Sequence, residues 1–260
     1  MTEGLPQVSI VVPVYNEGDA VVACLDRILA GVTLLCEIVV VYDDPSDPTV
    51  PYLEKYAEHE PRVLPTHNTL GRGPARAIRF GIERARAPVA VVTMADGSDD
   101  AEQIDDLCKL VERGVVIAAA SRYSSGGQQI GGPPLKSFLS RGAGLSLYWL
   151  AGVGTRDATN SFKAYSTQFV RDVTIQSDSG FEIGIELVAK ARRLREPVAE
   201  LPTIWLERAQ GTSNFKVLRW ASRYLFWYRL AFGRHLTIEQ LHRRVKVADG
   251  STAPLQEGHE

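Results

Sequence analysis

Val89-Ala90-Val91-Val92-Thr93-Met94-Ala95-Asp96-Gly97-Ser98-Asp99-Asp100 begins as an apolar run and ends on three carboxylates within five positions. A strand covered on both faces of a parallel sheet reads as continuous Val and Ala, and ligands of open α/β sheets gather beyond the carboxyl ends of such strands. The stretch therefore predicts a buried strand that stops at a binding site. Its aspartates and Ser98 offer oxygen ligands while Gly97 permits a tight turn, a combination suited to a hard divalent cation bridging to phosphate. The same residues also fit an acidic turn in which Ser98 or Asp99 caps the next helix.

Outward from this stretch the pattern repeats. Val8-Ser9-Ile10-Val11-Val12-Pro13-Val14 and Glu37-Ile38-Val39-Val40-Val41-Tyr42 read as β-branched strands. They stop on Tyr15-Asn16-Glu17-Gly18-Asp19 and on Asp43-Asp44-Pro45-Ser46-Asp47. Val21, Val22, Leu25, Ile28 and Leu29 recur at helical spacing, and a second helix is expected over 52–59. Val63-Leu64-Pro65 reads as a short third strand, followed by a helix over 75–85 opened by Leu70-Gly71-Arg72-Gly73-Pro74. That glycine loop stands in the wrong place for a dinucleotide fingerprint; it fits a plain turn, or a helix start where backbone or Arg76 approaches a phosphate.

On the other side, a helix over 101–113 leads into Val115-Val116-Ile117-Ala118-Ala119-Ala120, a second buried strand ending on Ser121-Arg122-Tyr123. The Gly- and Ser-rich stretch 124–134 is expected to be a long flexible loop. A helix over 135–150, a polar turn at Arg156-Asp157-Ala158-Thr159-Asn160-Ser161-Phe162, a strand at Lys163-Ala164-Tyr165, a helix over 182–194 and an edge strand over 198–205 complete the plan. Alternating strands and helices imply an α/β fold with a mostly parallel sheet flanked by helices.

The chain has 260 residues, 45% hydrophobic and 23% charged, with a formal net charge of -2. Such a balance gives no global attraction to nucleic acid, so phosphate binding rests on local clusters. The three cysteines Cys24, Cys36 and Cys108 are scattered in apolar surroundings and read as reduced core residues of a cytoplasmic protein. No run of 18 apolar residues suggests a spanning helix, and the polar start excludes an ordinary signal peptide. Near the end, Trp220, Tyr224, Trp227, Tyr228 and Phe232 crowd a segment that also carries Lys216, Arg219, Arg223, Arg229 and Arg234. Aromatic rings beside arginines suit a membrane headgroup region, or a helix packed on the core or a partner.

The ordered set Val11-Val12-Pro13-Val14-Tyr15-Asn16-Glu17, Asp43-Asp44, Ala95-Asp96-Gly97-Ser98, Ser121-Arg122-Tyr123 with Gly126-Gly127, Ser140-Arg141-Gly142, 156–162 and Glu207-Arg208-Ala209-Gln210-Gly211-Thr212-Ser213 resembles the GT-A glycosyltransferases of family 2. Within that family it is similar to the dolichol-phosphate mannosyltransferase and polyprenyl-phosphate glycosyltransferase branch, over about residues 7–216. The resemblance implies a GT-A, Rossmann-like fold and an inverting transfer of a hexose from a nucleotide-diphosphate sugar to a polyprenyl phosphate. It further implies a divalent metal, Mg2+ or Mn2+, and a peripheral place on the cytoplasmic face of the membrane. Carried over by position, Pro13, Tyr15 and Glu17 hold the nucleoside, with Asp43 or Asp44 near the base or ribose. Asp96 is the second acid of the family's Asp-x-Asp, binding donor and metal, and Ser98 is metal-proximal. Arg122, Arg141 and Arg208 join Asp96 in catalysis by holding phosphates, a task that suits the guanidinium fork better than an ammonium.

Three positions depart from the pattern. Met94 replaces the first acid of Asp-x-Asp, leaving Asp99 or Asp100 to compensate; Pro45 replaces a glycine; and Asn214 stands where lysine is common. Transfer to a soluble acceptor and non-catalytic binding of a nucleotide sugar are the other readings. The expected organisation is a catalytic domain over 1–215, an amphipathic interfacial helix over 216–240 and a polar, disordered tail over 241–260.

Overall fold

The structure, a computed structural model, describes residues 4–207 and 217–248. Its first half follows the repeating pattern: β1 (Val8–Val14), α1 (Ala20–Gly31), β2 (Cys36–Tyr42), α2 (Val50–Ala57), β3 (Val63–His67), α3 (Pro74–Arg84) and β4 (Val89–Val92). After a short 3-10 turn come α4 (Ile104–Glu112), β5 (Ile117–Ser121), β6 (Gln128–Ile130) and α5 (Pro134–Ser146), the last running into a π-helical turn at Leu147–Ala151. The remainder is β7 (Lys163–Ser166), α6 (Thr167–Val173), α7 (Ile183–Leu194), β8 (Val198–Pro202), β9 (Ile204–Leu206), α8 (Val217–Ala231) and α9 (Ile238–Ala248).

Seven strands form one sheet in the order β3-β2-β1-β4-β7-β5-β8. The pairs β3 with β2, β2 with β1, β1 with β4, and β5 with β8 are parallel, as the alternating pattern requires, while β7 runs antiparallel to both β4 and β5. Successive strand residues face opposite sides, so Ile10, Val12, Ile38 and Val40 pack under α1 and α4, whereas Val11, Val39, Val41 and Val92 pack beneath α3 and α7. Strand order reverses between β1 and β4, and a crevice is expected at the carboxyl ends of those two strands. Pro13 fits this edge of the ladder. Thr93 N–H donates to Val11 C=O, so alternate residues of β1 point their polar groups toward β4, and pairing ceases beyond Val11–Val92, where proline has no N–H to give.

Five features differ from expectation. The 124–134 stretch contains β6, which pairs in parallel with β9. The expected strand over 198–205 is two strands, because after Pro202 the Thr203 N–H donates to Ser121 C=O and the chain then turns to β6. Helix α6 was hidden between a strand and a loop by its length of 7 residues. Finally, α8 is packed: Trp227, Leu230 and Ala231 are buried, and Tyr228 Oη donates to Ser146 Oγ at 3.0 Å. Much of the aromatic face assigned to a membrane interface over 216–240 thus covers the core beside α7. The disordered tail placed at 241–260 begins instead with α9 through Ala248, whose Leu241 and Val245 are buried. Aromatic and arginine content alone does not distinguish a core-facing stripe from a lipid-facing one.

Candidate active site

Backbone ties join the neighbouring loops beyond β1 and β2. Beyond β1, Asn16 takes a left-handed conformation at φ 55°, its N–H donates to Asp47 Oδ2 at 2.9 Å, and the Glu17 and Gly18 N–H groups both reach Thr49 Oγ1. The loop bearing Glu17 is therefore stitched to the loop after β2. Tyr15, expected to hold the nucleoside, is exposed, whereas Pro13 is buried in β1 opposite Val41 and lies under the site rather than in it.

At the end of β2 the two acids divide their tasks. Asp43 accepts from Asn68 Nδ2 and from Gly73 N–H, both at 2.7 Å, and so holds the glycine loop before α3. Asp44 accepts from Ser46 N–H and Oγ and pairs with the exposed Arg72; the Ser46 hydrogen bonds hold its carboxyl below the usual range. With the Gly73 N–H committed to Asp43 and Arg76 paired with Asp178 at 3.5 Å, the phosphate approach considered for this loop is not preformed.

Past β4, Asp96 Oδ1 accepts from Ser98 N–H at 3.0 Å, the Asx turn expected of a tight acidic loop. Gly97 has φ +70°, and a Cβ there would lie 2.0 Å from Arg27 Nη2. A guanidinium from α1 therefore covers the turn, a neighbour that the helical spacing of α1 gave no reason to single out. Both acids suggested as substitutes for the one missing at Met94 are engaged by backbone N–H groups of their own loop, Asp99 half-buried and Asp100 exposed. Asp99 Oδ2 accepts from Met94 N–H at 3.0 Å and Thr93 Oγ1 at 3.2 Å, and Asp100 caps the next turn through Glu102 N–H. Burial pushes the Asp99 carboxyl up to about 6, with Asp96 adding to the rise and Arg122 opposing it. The Cys24 thiol beneath is pushed up to about 12 by burial and lies within electrostatic reach of Arg27, Asp96, Asp99 and Glu17. Glu17, Asp96, Asp99 and Arg122 thus share one neighbourhood.

Across β7, Arg122 forms a buried fork with Asp157: Nε to Oδ2 at 2.7 Å and Nη2 to Oδ1 at 2.9 Å, with the Arg122 N–H on the same carboxylate at 3.0 Å. Ser140 on α5 joins Arg122, Tyr123 and Thr159, and the guanidinium lies 5.0 Å from the Tyr123 ring centroid and 6.0 Å from that of Trp205. Arg141 is exposed on α5 and close enough to Tyr123 to act on its phenol, which burial raises. Lys163, fully buried at the start of β7, donates to Ala158 C=O and Asn160 C=O beneath the 157–160 turn; burial pushes its ammonium down to about 7. Sequence reasoning quoted Asp157 without a role and passed over Arg27 and Lys163, because each acts through tertiary neighbours. Arg208 lies outside the described residues.

Among the described residues no group of three or more His, Cys, Asp or Glu could by itself hold a metal ion. Mg2+ commonly takes one or two protein carboxylates and completes its shell with water and substrate phosphates. Asp96, half-buried on a glycine-bearing loop beside Ser98, fits that shared mode.

A mostly parallel sheet whose acidic loops flank the strand-order reversal, with an arginine fork across the crevice, has the architecture of the GT-A glycosyltransferases. Residues 9–174 match "Glycosyl transferase family 2", and the chain belongs to that family. It is 27% identical over 210 residues to an undecaprenyl-phosphate mannosyltransferase of Micrococcus luteus, covering 78% of this chain and 85% of the relative. It is 29% identical over 230 residues to a polyprenol monophosphomannose synthase of Mycolicibacterium smegmatis, covering 82% and 86%. Among solved structures it resembles glucosyl-3-phosphoglycerate synthase of Mycobacterium tuberculosis in complex with Mn2+, UDP and glucosyl-3-phosphoglycerate. That match has TM-score 0.63 and 17% identity, covers 89% and 82% of the two chains, and concerns the fold.

Proposed function

We propose that this enzyme transfers a hexosyl group, with inversion, from a nucleoside diphosphate sugar to the phosphate of a polyprenyl carrier at the cytoplasmic face of a membrane. The observation that carries the reading is the convergence of two kinds of group on one crevice. Acids at the carboxyl ends of β1 and β4 sit within electrostatic reach of an arginine fork at the end of β5. Relatives named for undecaprenyl phosphate and polyprenol supply the acceptor class.

The chemistry needs little from a base. A lipid phosphate is already an anionic nucleophile; its oxygen bonds to the anomeric carbon as the bond to the diphosphate breaks, and the departing nucleoside diphosphate keeps the electron pair. The obstacle is bringing two anions together, so positioning and preorganised positive charge do the catalysis. Tyr15, Glu17 and the Asp43–Asp44 loop bind the nucleoside, and Asp96 with Ser98 faces the diphosphate. A divalent cation held by Asp96 and the donor would neutralise charge on the leaving group. Arg122, fixed in direction by Asp157 and Ser140, presents cationic edge to the incoming phosphate, with Arg141 beside it and Arg208 from the later segment.

The test is transfer of radiolabelled sugar from UDP-, GDP- and dTDP-sugars to a purified short-chain prenyl phosphate. Label in the prenyl phosphate product supports the reading. Label only in water-soluble phosphorylated acceptors refutes it.

A further inference from the structure

Lys163 opens β7 and is fully buried. Its register partners are Val92 in β4 and Ala119 in β5, both strands antiparallel to its own, so the start of β7 lies level with the carboxyl ends of its two neighbours. The chain runs on from Val92 to Asp96 and from Ala119 to Arg122, and the lysine stands between these two sides of the crevice. Tyr165, two residues on and on the same face, packs with Ile183 and Leu187 of α7, so this face belongs to the core. A lysine in such a place pays a desolvation cost that an apolar side chain would avoid.

Both carbonyls that Nζ reaches belong to one turn: Ala158 C=O at 3.3 Å and Asn160 C=O. One nitrogen bridging residues two apart fixes the course of the turn as well as its height above the sheet. That turn carries the machinery around Arg122. Asp157 grips the arginine through its N–H, Nε and Nη2, and Thr159 Oγ1 lies 2.6 Å from Ser140 Oγ, itself 3.4 Å from Arg122 Nη2. Asn160 adds a tie to β5, donating from Nδ2 to Ala120 C=O at 2.9 Å. Gly184 on α7 lies against the same three atoms: a Cβ there would stand 3.0 Å from the Asn160 oxygen, 3.1 Å from the Ala158 oxygen and 3.4 Å from Nζ. Burial lowers the pKa of Lys163, with Asp157 and Asp99 favouring the charge and Arg122 opposing it. Charged or neutral, the nitrogen keeps at least two N–H donors, one for each carbonyl.

We infer that Lys163 is a positioning residue for Arg122: by holding the carbonyls of Ala158 and Asn160 it sets the turn from which Asp157 and the Thr159–Ser140 pair aim the guanidinium at the incoming phosphate. This rests on the proposed function only in giving Arg122 a phosphate to meet. Methionine is about as long as lysine and fills a core without a donor, so Lys163→Met separates packing from positioning. A guanidinium displaced by about 1 Å costs on the order of a hundredfold in rate, since the reacting groups leave the near-attack geometry.

Magnetic resonance of the arginine side chains in the full chain tests it without turnover. The Arg122 Nε–H signal, assigned by its absence in Arg122→Lys, reports the fork with Asp157. Lys163→Met should shift that signal and speed its exchange with water, and Lys163→Arg, which keeps N–H donors at the end of a long stem, should restore it in large part. Gly184→Ala, which crowds both carbonyls and leaves the lysine in place, should shift the same signal by a smaller amount. Initial rates give the second measurement: Lys163→Met should lower kcat/KM for a short-chain prenyl phosphate by on the order of a hundredfold and leave KM for the sugar nucleotide unchanged. A folded Lys163→Met with a lower melting temperature but an unchanged Arg122 signal and unchanged acceptor kinetics would make Lys163 a packing residue and overturn the inference. Where Lys163→Met does not fold, an unmoved Arg122 signal in Gly184→Ala overturns it equally. A chain that labels no prenyl phosphate loses the proposed function, while the Arg122 signal still decides the role of Lys163.

Discussion

Removing Asp157 should unfold the Arg122 side of the crevice before it touches the Asp96 side. The carboxylate is fully buried and receives five donors: the Arg122 N–H, Nε and Nη2, the Asn160 N–H at 3.2 Å and, more weakly, Thr159 Oγ1 at 3.5 Å. Asp157→Ala leaves a guanidinium that is itself only 12% exposed without a counter-charge. Breaking a buried pair from one side typically costs about 3–5 kcal/mol, because the orphaned ion keeps its desolvation penalty. For a chain of this size that corresponds to a melting temperature lower by about 6–20 °C, and to a lower denaturation midpoint at unchanged slope. Arg122→Met in the same background removes the orphaned charge and should restore stability. It should leave a deficit of about 1–2 kcal/mol for the two backbone N–H groups that Asp157 also served. Urea denaturation of the two single variants and the double variant closes the cycle. A loss below about 1 kcal/mol for Asp157→Ala, or a double variant no more stable than that single one, would refute the account of Asp157 as counter-charge and leave Arg122 without its positioning partner.

Asp96→Ala should abolish transfer while changing stability by less than about 1 kcal/mol, and should erase the gain in melting temperature that Mn2+ with a nucleoside diphosphate gives the parent, both read in a thermal-shift experiment. Asp99 is a pH probe. Its folded carboxyl titrates near 6 against 3.8 when unfolded, so the folded state binds the extra proton between those values and stability falls as pH rises from about 4 to 6, by up to ~3 kcal/mol. Asp99→Asn should flatten that decline in the difference between variant and parent unfolding curves. Gly97→Ala places a methyl where Arg27 now lies and demands a left-handed alanine, which should lower stability by about 1–2 kcal/mol and alter donor KM, measured by initial rates. Arg122→Lys replaces a fork by a point charge; a fall in transfer of at least tenfold at saturating donor is expected, and unchanged rates would remove Arg122 from the site.

The sheet was legible because its strands obey one local rule: Val8–Val14, Cys36–Tyr42 and Val89–Val92 are apolar runs, broken only at Ser9 and Glu37, each ending on polar residues. The acids were legible for the same reason, since the end of a buried run is an address that needs no tertiary information. What escaped depends on partners distant in sequence. Nothing near Ile204 announces that it pairs with Gln128, and nothing near Asp157 announces that Arg122, 35 residues earlier, will close on it. The aromatic segment around Trp227 misled for a related reason: amphipathicity states that one side is apolar and leaves its partner unnamed. Asp99 and Asp100 could be counted in the sequence, but whether a carboxylate turns to solvent or to its own backbone is decided by the exact course of the loop.

The antiparallel insertion of β7 has a consequence for how the chain is made. β5 finds both of its neighbours, β7 and β8, later in the chain than itself, while β4 must wait for β7 on one side. Emerging from the ribosome, the first 121 residues can pair β1 through β4 but leave β5 with no strand to join. Its Ile117–Ser121 backbone therefore stays unsatisfied until about forty further residues have been synthesised. The crevice is assembled last, and the delay falls on the very strand that delivers Arg122. A nascent chain stalled at that length would be an aggregation hazard, and a chaperone that shields β edges during this interval would raise the yield of active enzyme more than one acting on the finished fold.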